Sequence, residues 1–391
     1  MHIPSSRASF AVGSFFALAT AACGGNANGQ SEPTSNESAS VTACDGARCP
    51  VIPQLSARPT ASESTVPSNG DVNPYGVAFV PAGFAAGGLL RAGDVIVSNF
   101  NNSANLQGTG TTIVRVNAGA SPSLFFADAD APGFSTALGV LQAGFVLVGN
   151  VPSTDGSGAC TGQQSNIGQG AVLVIDRHGR LASTLSSPSL LDGPWDMAVD
   201  DQGSSAHVFV SNVLKGTVTR VDLRIEGDGA EARVGVANEV QIASGYAHRC
   251  DPAALVVGPT GLALDRQHDV LFVAATGDNA IFEIAHATET TRDAGMGRVA
   301  VRDATHLHGP VGLVRAENGD LISSQGDAVN ADSNHPSEIV EFTRQGRFVA
   351  QFSIDSSPGS AFGMALVQTN DGLRFAAVDD GLNVLDVWNV K

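Results

Sequence analysis

A short phrase, a Gly (Asp196 in one copy) set at the head of a small apolar strand, returns six times along this chain. It reads PYGVAFV (74–80), ALGVLQA (137–143), PWDMAVD (194–200), PTGLALD (259–265), PVGLVRA (310–316) and FGMALVQ (362–368). Self-similarity at a spacing of tens of residues marks one supersecondary unit used repeatedly. A second apolar run follows each copy: DVIVSN (94–99), FVLVGN (145–150), HVFVSN (207–212), VLFVAA (270–275), DLISSQ (320–325) and RFAAVDD (374–380). Third runs include TIVRV (112–116), TVTRVDL (217–223) and EIVEFT (338–343), and fourth runs include SLFFA (123–127), LASTL (181–185) and RFVAQF (347–352). The runs are short and rich in β-branched residues, and no useful length shows a 3.6-residue period. Asn-Gly at 318–319 and Asp-Gly at 371–372 supply the positive φ that tight hairpins need.

Each unit therefore reads as a four-stranded antiparallel meander. A lone twisted sheet of that size cannot cover both its faces, whereas sheets packed radially around an axis cover one another. The expected fold is all-β, a six-bladed β-propeller over residues 71–391 in which the Gly phrase is the crowded innermost strand. The last unit ends after three strands. Residues 56–72 are the candidates to supply a fourth, although ARPTASESTVPSNGDVN is poor in strand formers; a three-stranded last blade is the alternative.

The repeat resembles the bacterial NHL-repeat and TolB-like six-bladed propellers across about residues 71–391, with FVAATGDNAIFEI (272–284) closest to the NHL signature. That resemblance speaks to architecture, because such propellers host unrelated functions.

Ahead of the repeat, Arg7 and an apolar stretch from Ala8 to Ala19 have the form of a secretory signal, taken as residues 1–22. LATAACGG resembles the lipobox of bacterial lipoproteins, which implies lipidation of Cys23, although Thr20 stands where that family prefers Leu. Cleavage without lipid would instead leave a soluble periplasmic or secreted protein. Residues 23–70 are mostly small and polar and are expected to form a flexible tether. The expected location is thus outside the cytoplasm, with the membrane touched only through an N-terminal lipid. Four cysteines remain, an even number that suits an oxidising compartment: Cys44 with Cys49 as a local pair, and Cys160 with Cys250 as a bridge between loops.

The formal charge of −17 and the presence of Lys only at 215 and 391 argue against a phosphate-backbone binder, so no nucleic-acid partner is expected. In a meander, the loops between second and third strands share a face with the links between blades. That face receives the long insertions at 100–111, 151–170 and 326–337, and long loops on a rigid scaffold usually carry binding. His248, His306, His308 and His335 all fall there, with His306 and His308 placed on one side of an extended segment. Asn99, Asn150, Asn212 and Asp379 end second strands, and Asp196 replaces a Gly nearby; their oxygens suit calcium, a hard cation that takes 6–8 oxygen ligands. This set resembles the channel site of calcium-dependent lactonases of the senescence-marker and paraoxonase type, except that Asn73 and Tyr75 occupy the place of an expected Glu.

No nucleophile elbow, phosphate loop or dinucleotide fingerprint is present. The sequence favours a binding module that meets a protein, glycan or small molecule through the long-loop face, with no certain cofactor. The alternative is a calcium-dependent lactonase-like hydrolase, or a lyase, acting at the channel mouth.

Overall fold

The computed structural model describes residues 49–161, 164–227 and 231–390. Six four-stranded antiparallel sheets form the blades of a β-propeller. Their inner strands are Val72–Phe79, Phe134–Leu141, Pro194–Asp201, Pro259–Asp265, Pro310–Arg315 and Ala361–Thr369. In blades 1 to 5 the chain then runs outward in sequence order, and blade 2 carries an extra two-stranded excursion, Cys160–Thr161 with Gln164–Ser165.

Blade 6 closes the ring. Its three C-terminal strands are joined by Ala61–Ser64, which pairs antiparallel with Val384–Val390, Ala61 opposite Val387 and Ser64 opposite Val384. Weak local propensity is overridden here because an open edge strand offers a full row of unpaired backbone groups. The boundary expected at residue 70 accordingly moves. Val51 and Ile52 are buried against blades 5 and 6, and both their amides donate to the Glu341 carboxylate at 2.8 Å. Trp388 Nε1 donates to the Ser56 carbonyl at 3.0 Å, so the segment from Cys49 onward belongs to the folded body. The signal sequence, Cys23 and Cys44 lie outside the described residues.

The core lies between blades. Six apolar clusters each join two neighbouring sheets, as Ile96, Phe134, Val146 and Leu173 do between blades 1 and 2. Val97, Val114, Val378 and Leu385 do the same across the closure between blades 6 and 1. A seventh cluster, including Tyr75, Phe100, Trp195 and Leu255, fills the axis near the long-loop face.

The recurrent Gly has a steric cause. A Cβ on Gly363 would lie 1.8 Å from the Tyr75 carbonyl oxygen, and one on Gly312 would lie 2.4 Å from that of Phe362. Both contacts are with the backbone of the next inner strand, so neither can be relieved by turning a side chain. Every inner strand also breaks register at this phrase, for example between Pro74 and Val77 and between Pro310 and Leu313.

Candidate functional site

Asn99, Asn150, Asn212 and Asp379 occupy one register position in their four blades, although the second strand of blade 1 runs on past Asn99 to Asn101. Asn99 faces Pro74, Asn150 faces Phe134, Asn212 faces Pro194 and Asp379 faces Ala361 across the ladder. Each fastens the link arriving from the previous blade or the chain leaving for its own third strand. Asn150 Oδ1 accepts from the Ala171 amide (2.8 Å), while its Nδ2 donates to the Pro132 carbonyl (2.9 Å). Asn212 Oδ1 accepts from the Asp192 amide (3.1 Å), and Asp379 Oδ1 accepts from Leu382 (3.1 Å). Asn99 donates to the Thr65 carbonyl and to Thr112, and its Oδ1 is the one oxygen of these four side chains that is buried without a partner.

Asp196 stands at the Gly position of blade 3 and makes the contact to the next blade with its side chain. Oδ2 accepts from the Leu262 amide (2.9 Å) and Oδ1 from Met197 (2.8 Å), while burial pushes the carboxyl up to about 8. The set predicted as calcium ligands is thus largely committed to backbone N–H groups.

Serines preceding these positions went unnoticed in the sequence. Ser98, Ser211 and Ser324 donate to the Ser135, Thr260 and Phe362 carbonyls of the following inner strand. The repeated Ser-Asn or Ser-Gln ending was their signal.

The four histidines separate. Residues 303–309 turn instead of extending, with the Leu307 amide donating to the Asp303 carbonyl at 3.0 Å. His306 therefore stacks on Phe348 at 3.8 Å and pairs with Asp303, away from His308. His248 Nδ1 rests on the Tyr246 carbonyl in the link that leaves blade 3. His308 and His335 are both drawn to Asp332, and Glu338, which sequence reasoning left in a strand, completes that group.

A cavity of about 310 Å³ opens at the long-loop end of the axis. Its base is aromatic: Tyr75 stacks between Phe100 (4.4 Å) and Phe362 (4.2 Å), and Trp195 packs on it at 5.8 Å. Its wall carries a polar chain. With its side-chain amide oriented to suit both neighbours, Asn73 donates to Asp380 Oδ1 (2.9 Å) and accepts from Asn101 Nδ2 (2.8 Å). Asn73 holds a left-handed backbone at φ 61°, fixed by a 2.7 Å bond from its own amide to Asn383 Oδ1. Strain of this kind persists only where the surroundings enforce it.

Burial, then the neighbouring Asp379 charge, pushes the Asp380 carboxyl up to about 7. Burial and Asp380 together raise the Tyr75 phenol, which stays protonated. Among the cavity-lining residues, Trp195 Nε1 and Asn101 Oδ1 are buried with no hydrogen-bond partner.

The long loops meet over this cavity. Gln107 donates to the Ala253 carbonyl (3.1 Å), and a Cβ on Gly158 would meet the Asp251 carbonyl at 2.1 Å. The Gly158 contact sets the loop of Cys160 against the hairpin that bears Cys250. Neither Cys49 nor Cys250 is a free thiol, whereas the side chains of their predicted partners, Cys44 and Cys160, lie outside what is described. No helix among the described residues is long and apolar enough to cross a membrane.

No protein-family model matches the sequence. No curated protein matches it either. Among solved structures the chain is similar to a gluconolactonase from Xanthomonas campestris, at 14% identity over 83% of this chain and 88% of that one, TM-score 0.48. It is similar to a calcium-binding regucalcin from Agrobacterium tumefaciens, at 12% identity over 85% and 95%, TM-score 0.48. A luciferin-regenerating enzyme matches at 13% identity over 85% and 98%, TM-score 0.47. At such identities the likeness is one of chain path, and the six blades rest on the strand ladders of this protein itself.

Proposed function

We propose that the protein is a ligand-binding propeller that takes a small, uncharged, ring-shaped polar molecule, a sugar unit or a lactone, into the cavity at its channel mouth. The observation that carries this reading is the Asp380–Asn73–Asn101 hydrogen-bond chain set above an aromatic base. Aromatic faces accept the C–H side of a ring, and amide and carboxyl groups accept and donate to its oxygens. A volume of about 310 Å³ holds a molecule of that size. A bridge between Cys160 and Cys250 would pin two of the loops above the cavity, and a lipid on Cys23 would hold the body at a membrane outside the cytoplasm.

One observation favours a second reading, a lactone hydrolase. A carboxyl poised at about 7 inside a cavity is matched to proton transfer near neutral pH. As its carboxylate, Asp380 would take a proton from a water whose oxygen bonds to the carbonyl carbon; the ring C–O bond breaks and the departing oxygen takes up a proton. No step is routed through calcium, because among the oxygens predicted to hold it those of Asn150, Asn212 and Asp196 are engaged with backbone amides.

The test uses glucose and glucono-δ-lactone as probes, in isothermal calorimetry and in a pH-stat assay. Binding of either by the wild-type protein is expected, with loss in Ala254→Trp, which fills the cavity from its rim. Silence from both probes, or full binding by folded Ala254→Trp, would refute the proposal. Lactone hydrolysis abolished by Asp380→Asn, with binding retained, would establish the second reading.

A further inference from the structure

We propose that His308, Asp332 and Glu338 form a binding site for a divalent transition ion of the zinc class, distinct from the channel-mouth cavity and from the residues predicted to hold calcium. The atoms through which the three can ligate lie within 4.8 Å of one another. They come from three segments: the link into blade 5, its long insertion, and the first residue of its third strand, Glu338–Phe342.

Two unsatisfied atoms point to a missing ligand. Glu338 is 1% exposed, and its Oε1 has no hydrogen-bond partner. His308 spends Nε2 on the Thr305 carbonyl (3.1 Å), which leaves Nδ1 buried and equally without a partner. Buried polar atoms are almost always satisfied, and two orphans in one small group need a common explanation. A cation supplies it, since both atoms offer lone pairs and Asp332 adds a carboxylate. As placed, the two orphaned atoms make no hydrogen bond to each other, and an ion between them would satisfy both.

The group is also held in place. Asp332 is bonded to His335 Nδ1 (2.8 Å) and to the Asn334 amide (2.9 Å), the kind of outer contact that orients a ligating carboxylate. The Ser337 amide donates to Asp327 Oδ2 at 2.8 Å, and its backbone is left-handed at φ 50°, which sets the direction in which Glu338 leaves the insertion. The His308 amide donates to Gln325 Oε1 at 2.7 Å.

The donor set selects the metal. One imidazole nitrogen with two carboxylates suits zinc, cobalt or manganese, whereas calcium favours an all-oxygen shell of 6–8 ligands. A second grouping, Asp269, His286 and Glu289, is more open and holds no orphaned buried atom. It serves as the internal control.

The full chain without a histidine tag, stripped by chelator, is titrated with Co²⁺ and Zn²⁺ and followed by visible absorption and calorimetry. One equivalent is expected, with ligand-field bands for cobalt. Affinity should fall tenfold or more in Glu338→Gln and in His308→Gln and stay unchanged in His286→Ala. Absence of stoichiometric binding overturns the proposal, as does loss in His286→Ala with retention in His308→Gln. Should either glutamine variant fold poorly, X-ray absorption of the wild-type protein loaded with zinc decides. One imidazole among oxygens is expected, and a shell of oxygen alone or one containing sulfur overturns the site.

Discussion

Replacing Gly363 by Ala tests the claim that convergence of inner strands dictates the repeat. No positive φ protects this position, so the backbone itself admits an L residue and the cost is purely steric. The added Cβ would sit 1.8 Å from the Tyr75 carbonyl oxygen, so blades 6 and 1 must part by about 1.2 Å even to reach 3.0 Å. Overpacking against groups that cannot rotate away costs about 1–3 kcal/mol and sometimes more. Restricting the unfolded chain returns about 0.4–1 kcal/mol, which leaves a net loss on the order of 1–2 kcal/mol. Gly76→Ala should cost less, because its closest contacts, Ser98 Oγ at 2.6 Å and Leu138 Cβ at 2.9 Å, are 0.8 Å or more longer than the backbone contact at Gly363. Gly235→Ala, exposed on an outer strand with nothing within 4 Å of the new atom, should be neutral or slightly stabilising. Equilibrium denaturation in urea, extrapolated to water, ranks the three. A Gly363→Ala protein within about 0.5 kcal/mol of wild type would refute the steric account, since changes of that size are typical of inconsequential surface positions.

Three further outcomes are expected. Burial raises Glu341 to about 7 from 4.5, so its carboxyl contributes stability that is present in full below pH 4.5 and lost as pH rises through 7. That contribution is on the order of 3 kcal/mol, and Asp380, Asp379 and Asp196 act in the same direction. The melting temperature should therefore fall between pH 5 and pH 8, less steeply in Glu341→Gln; a rise over that range would contradict the assignment. Ser211→Ala orphans the Thr260 carbonyl and the Asp196 amide and should cost about 1–3 kcal/mol in the same urea assay. A chain beginning after residue 65 loses the strand that covers Val384–Val390, and it should melt earlier and associate through that edge on size-exclusion chromatography.

The blades were legible because their signals are local. Alternating Val, Ile and Phe runs, Asn-Gly turns and the inner-strand Gly all act within a few residues of themselves. The closing strand was not legible, since Ala61–Ser64 pairs only because Val384–Val390 offers an edge from the far end of the chain. The strand-ending Asn and Asp residues were correctly placed in register, yet their chemistry was open. The same side chain can staple a backbone or hold an ion, and the choice depends on where the Pro132 and Asp192 segments run.

His306 and His308 show the same limit, for one turn at Asp303 sends them to different neighbours. By itself, then, the sequence determined the repeat, the antiparallel meander and the face that receives the long loops, because these follow from short-range periodicity and turn chemistry. Only the tertiary structure decided that Asp380, Asn73 and Asn101 share one cavity and that Glu338 meets His308. Asn73 and Asn101 sit on adjacent strands of blade 1, but Asp380 reaches them only through ring closure from blade 6, and Asp332 and Glu338 reach His308 only through the folding of the long insertion.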